Sequence, residues 1–165
     1  MRYYNLVKAI QQACEEHKQV QSYGYGNISN IETPLVHGDK RYPYVFVNPT
    51  SHTLTEGTLR YRFNLIVMDL AGEDYLDTNP GGEGPSAVTI QIKSEDLILY
   101  AQSDSILIIN DILSQLRYAI NDTDVVLNVA LTPFEERFDD TVAGCTATIE
   151  VVVPNLLDQC DSPIS

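Results

Sequence analysis

The chain has little that could carry chemistry. It contains no tryptophan, three histidines and three cysteines, and its ten lysines and arginines face 23 acids. The shortage of bases leaves a formal charge of −13. Such a surface repels phosphate backbones and anionic membranes, so neither sequence-specific nucleic-acid binding nor membrane binding is expected. The excess acid either serves solubility alone or makes a surface that DNA can pass without sticking.

Cys14, Cys145 and Cys160 include no CxxC pair, and an odd, sparse set argues against a disulfide framework. Folding in a reducing compartment is the simpler reading. Met1-Arg2-Tyr3-Tyr4-Asn5 has no apolar stretch of the kind a signal peptide needs, and none is expected. Apolar runs such as residues 106–109 are far too short to span a bilayer.

What is present is a chain of 165 residues with 44% hydrophobic content, enough for one domain with a real core. Leu6, Val7, Ile10, Ala13, Cys14 and His17 recur at three- and four-residue steps and predict a helix over about 3–18. The two glycines of residues 22–27 break it, and a first strand is expected at 28–31, followed by a polar loop at 34–41. Residues 42–48 read as a strand, with turns at 48–51 and 56–57. The strongest strand is 58–70. Tyr61, Phe63, Leu65 and Val67 face one way, and Arg60, Arg62 and Asn64 the other. Ile66 and Met68 interrupt that polar side, so its far end is expected to be covered on both faces.

Residues 72–92 are an insertion centred on a Pro- and Gly-rich loop, either a β-arm with an extra strand at 88–92 or an unstructured excursion. Ser94 caps the next predicted helix, which runs to 120, with a possible break at Ser103-Asp104-Ser105. Strands at 125–132 and 144–153 close the chain around an acidic aromatic turn at 133–140. The element order predicts a single α+β domain: a mainly antiparallel sheet of about five strands with two helices packed on one face.

The candidate chemical groups lead nowhere. His17, His37 and His52 show no HxxxH or HExxH spacing. His17 lies on the apolar stripe of the first helix and reads as a packed residue, while His37 and His52 read as solvated. Cys145 sits in an alternating strand and reads as a buried thiol; an adjacent histidine and an open pocket would make it a nucleophile. Glu135-Glu136, Asp139-Asp140 and Asp122/Asp124 are pairs that an acid-rich chain makes by chance. Asp122-Thr123-Asp124 also lacks the rest of a calcium loop. Asn79-Pro80-Gly81-Gly82-Glu83-Gly84 is not followed by the Lys-Ser/Thr of a phosphate loop. No catalytic, metal or cofactor-binding residue is assigned, and a non-enzyme is expected. Ten tyrosines remain. Tyr23 and Tyr25 read equally well as packing or as an interface patch, whereas Tyr61 reads as strand packing.

One set of segments is familiar. Tyr4-Asn5-Leu6-Val7 opens a short helix, and Tyr44-Val45-Phe46-Val47-Asn48-Pro49 follows as a strand. A long amphipathic strand ends Ile66-Val67-Met68-Asp69-Leu70, and a helix carries Ser103-Asp104-Ser105-Ile106-Leu107-Ile108-Ile109. The close is Pro133-Phe134-Glu135-Glu136-Arg137-Phe138, Val142-Ala143-Gly144 and Val152-Val153-Pro154-Asn155 before Cys160. In these segments the chain resembles the tail terminator, or tail completion, proteins of tailed bacteriophages, over most of its length except residues 72–92. The resemblance implies a virion protein of the tail or neck, assembled in the host cytoplasm as a ring, usually a hexamer. Its partners would be further copies of itself, the tail tube protein and the head–tail connector, with DNA passing through the lumen. It would cap the tube, stop its polymerisation and join it to the head. A closed ring needs two different patches. Arg60 and Arg62 are candidates for one. Glu135, Glu136 and Arg137, with Phe134 and Phe138 as anchors, are candidates for the other. The alternatives are a head–tail connector or stopper, and a monomeric acidic binding module.

Overall fold

A computed structural model describes residues 3–31, 42–71, 94–119, 126–137 and 141–155. Helix α1, Tyr3–Glu16, buries Leu6, Ile10, Ala13 and Cys14 along the expected stripe. Its outer face carries Gln11–Glu15 and Gln12–Glu16 side-chain bonds of 2.7 and 2.8 Å, the four-residue spacing at which helix neighbours meet.

The first strand is not where the sequence pattern put it. Residues 28–30 form a single 3-10 turn, Ile28–Asn30, capped by Asn27, whose side chain accepts from the Ser29 N–H. The strand β1 is Ser22–Tyr25, within the segment read as a glycine turn. Gly24 is glycine because of a close approach: a Cβ there would lie 2.2 Å from the Tyr44 hydroxyl. β1 runs parallel to strand β2, Tyr44–Thr55.

The turn expected at 48–51 is also absent. β2 continues through it with a register shift between Pro49 and His52, because proline cannot donate to the ladder but tolerates an extended irregularity. The other expected turn, at 56–57, is present: the chain turns at Gly57, where φ is +83°, into strand β3, Gly57–Leu70. Helix α2, Ser94–Ala119, is unbroken, with Glu95 and Asp96 in its first turn. The possible break at 103–105 does not occur, since Ser105 is itself buried on the stripe with Ala101 and Ile108, and packing overrides its weak helix propensity. Strands β4, Val126–Arg137, and β5, Thr141–Asn155, are longer than expected. The acidic turn at 133–140 is therefore mostly strand: residues from Pro133 to Arg137 pair with those from Cys145 back to Thr141.

The sheet order is β1-β2-β3-β5-β4, antiparallel except for the β1–β2 pair. Both helices lie on one face, which is the predicted α+β architecture. Val45, Val47, Phe63, Leu65, Val67, Ala147, Ile149 and Val151 point from the sheet into a core shared with Leu6, Ile10, Ile108, Ile112 and Leu116. Full burial of one such large side chain stabilises by about 1.5–3 kcal/mol, so this face holds the fold together. The opposite face has its own smaller cluster at one end, with Tyr42, Tyr44, Phe46, Ile66, Met68 and Val142 buried and Ile31, Leu70 and Phe134 packed on it. That cluster is the covering expected for the far end of β3. The insertion at 72–92, the loop at 34–41, His37, Phe138 and Cys160 lie outside the described residues.

Candidate protein interface

The face of the sheet without helices carries the first candidate patch. Arg60 and Arg62 project from β3, and Glu150 stands opposite Arg62 on β5. Arg60 Nη1 lies 3.3 Å from Glu150 Oε1, and Arg62 Nε donates to Glu150 Oε2. The arginine side chains remain 43% and 46% exposed, whereas that of Glu150 is mostly covered. The hydrogen bond from Arg62 comes first among the effects that hold the Glu150 carboxyl below the usual carboxylate range; the charges of both arginines and a bond from Asn128 add to it. Two guanidiniums against one carboxylate leave this patch locally positive in a chain of net charge −13. Beside it, Thr148 Oγ1 donates to Asn64 Oδ1 at 3.1 Å, so the surroundings are flat and polar.

The second candidate patch is at the other end of the sheet. Phe134 stands opposite Gly144 and Glu135 opposite Ala143. Neighbouring strand residues point to opposite faces. Phe134 therefore packs half-buried on the Tyr44–Met68 cluster, while Glu135 is exposed on the helix side. Gln102 of α2 donates to the Phe134 carbonyl at 3.2 Å and ties this end of β4 to the helix. Glu136 and Arg137 continue the strand. From Gly144 to Glu150 is six steps along β5. The two patches are therefore roughly 20 Å apart at about 3.3 Å per residue, and the structure does not bring them together.

Tyr23 and Tyr25 sit in a third place, on strand β1, which pairs with β2 and packs against α1. Tyr25 is 47% exposed, and its hydroxyl is 3.2 Å from that of Tyr3. Tyr3 stacks at 4.5 Å on His52 and at 5.3 Å on Tyr61, and Tyr61 is buried as expected. His52 is thus part of an aromatic cluster, with its Nδ1 accepting the Arg62 N–H at 3.4 Å, and not simply solvated. Sequence spacing could not find this cluster, because its members come from α1, β1, β2 and β3. The Tyr23 hydroxyl is buried and has no hydrogen-bond partner among the described residues. Burial pushes the Tyr3 and Tyr23 hydroxyls well above the usual tyrosine range, with the hydrogen bond to Tyr25 adding at Tyr3 and the nearby Cys14, Tyr25 and Glu15 adding at Tyr23.

Among the described residues the cysteines and His17 are packed away. Cys145 is fully buried, and burial raises its thiol pKa. Cys14 is likewise buried, its thiol pushed up to about 12 chiefly by desolvation. Both are protonated and inert in this state. His17 is boxed in, its Nδ1 accepting from the Gln19 N–H at 3.2 Å and its Nε2 facing Asp111 at 3.4 Å. Among the described residues, no group of three or more His, Cys, Asp or Glu is placed to hold a metal ion. The chain matches no family model and no curated protein.

Proposed function

We propose that the chain is a structural virion protein that caps the end of a phage tail tube and joins it to the head connector as a ring. The observation that carries this reading is the separation of its two candidate patches. The Arg60/Arg62 surface and the Phe134/Glu135 end of β4 differ in charge and lie roughly 20 Å apart at about 3.3 Å per residue along β5. They cannot satisfy each other within one subunit. A head-to-tail ring needs such a pair of unlike surfaces, each meeting its complement on the neighbour. The resemblance in segments and the acidic composition, which suits a lumen that DNA slides through, point the same way. The cap blocks the tube by occupying the docking surface that the next tube ring would use.

Light scattering and negative-stain microscopy over a concentration series test this, alone and with tube protein added. Rings of about six subunits are the expected result. Reversal of charge at Arg60→Glu and Arg62→Glu is expected to abolish rings while leaving the fold intact by circular dichroism. Intact rings in that double variant would remove the assigned interface. Failure to form rings even on tubes would remove the capping reading.

A further inference from the structure

The sheet ends on two very different edges. β1 offers the four residues Ser22–Tyr25, whereas β4 offers the twelve residues Val126–Arg137, paired to β5 without a register shift. Among the described residues no strand lies beyond β4 in the sheet, so alternate backbone donors and acceptors of β4 point away from its described neighbours. Its side chains do not shield the row. Asn128 to Pro133 are all exposed, and Val129 and Leu131 remain 39% and 45% exposed. Long edges are ordinarily protected by lysines, inward charges or bulges. Residues 126–134 contain no charged residue, in a chain with 23 acids, and β4 has no bulge. Pro133 alone removes a donor.

We propose that β4 pairs with β4 of a second copy, antiparallel, about a two-fold axis at Ala130. The charge pattern selects this occupant. Ala130 is the midpoint of the uncharged part of β4, residues 126–134. Only the register that sets Ala130 opposite the second copy's Ala130 matches that whole stretch to itself. Val129 then faces the second copy's Leu131, Asn128 faces Thr132, Leu127 faces Pro133 and Val126 faces Phe134. Glu135 falls just outside. The next register toward the C-terminus sets Glu135 opposite Leu127 and desolvates a carboxylate against an apolar side chain. The contact is isologous, unlike the head-to-tail contacts of a ring, so this pairing and the ring reading can each fail alone. Each copy carries −13, so the pair is expected to tighten as salt screens the repulsion.

The test places a cysteine at the axis. Residues directly opposite in an antiparallel pair have Cα atoms about 4.5–5.5 Å apart, within disulfide reach. In a Cys160→Ser background, where Cys14 and Cys145 are buried, Ala130→Cys is oxidised mildly and compared with Leu54→Cys, whose side chain is 61% exposed on β2. A covalent dimer from Ala130→Cys and not from Leu54→Cys is expected, with a two-chain mass by light scattering that grows with salt. Val129→Lys with Leu131→Lys is expected to weaken the dimer at least about tenfold, with an unchanged circular dichroism spectrum. A one-chain mass at every concentration would overturn the proposal. So would a dimer or ring that links no better through Ala130→Cys than through Leu54→Cys.

Discussion

Phe63 and Arg62 adjoin in β3 and live in opposite environments. Phe63 is 1% exposed against the helices, while the Arg62 side chain is 46% exposed on the open face. The contrast runs the length of the strand on the helix side, where Tyr61, Phe63, Leu65 and Val67 are all buried. On the other side it changes along the strand, from Arg60 and Arg62 at one end to Ile66 and Met68 at the other. The covered face therefore supplies most of the stability. The open face is divided between a small apolar cluster that shields itself and a polar patch available for contact.

The largest effect is expected on the covered face. Phe63→Ala should cost about 3–5 kcal/mol, because it removes a fully buried ring and leaves a cavity the sheet cannot close. Chemical denaturation measures it. Ile66→Ala, on the open face but inside the smaller cluster, should cost about 2 kcal/mol, near the low end for such truncations, because its cluster is smaller than the helix-side core. Equal losses for the two would show that the open-face cluster is as well packed as the core, and would erase the contrast.

Tyr23→Phe should change stability in the other direction. The hydroxyl is buried without a partner among the described residues, so its removal is expected to raise stability by up to about 1 kcal/mol. A loss measured by the same denaturation would mean that the hydroxyl has a partner in solution.

Asp69 gives the smallest effect and a pH dependence. It sits at the rim of the covered face, where burial raises its carboxyl pKa above the ordinary 3.8, with the Asp104 charge adding and the Leu70 N–H opposing. The folded state thus holds the proton more tightly than the unfolded chain. Its contribution to stability is greatest below the ordinary value and is lost as pH rises through the raised folded value. Asp69→Asn should therefore gain thermal stability relative to the parent as pH climbs from about 4 to 7. A difference in melting temperature that stays flat over that range would place the carboxyl in solvent.

Much of this was legible in the residue pattern. Seven alternating positions of β3 and the three- and four-step stripe of α1 reported directly which side chains would be buried, because burial on one face imposes a period on the sequence. The α+β order followed from those elements. The misplacements share a cause. Tyr23-Gly24-Tyr25 looked like a turn because glycine is a local breaker, yet it is a strand because it pairs in parallel with Val45, Phe46 and Val47 of β2. Residues 133–137 looked like an acidic turn because of Pro133 and two glutamates, yet β5 holds them extended. In each case the deciding neighbour is far away in the chain.

The candidate interface divides in the same way. Composition alone determined the acidic surface, the shortage of catalytic side chains and the two faces of β3, since each is a property of residue type or of local spacing. Tertiary structure alone decided that Glu150 neutralises one of the two arginines, that Phe134 turns into a cluster while Glu135 turns out, and that β4 is the edge of the described sheet. Those outcomes depend on strand order and register, which are set by contacts between residues distant in sequence and leave no local period to read.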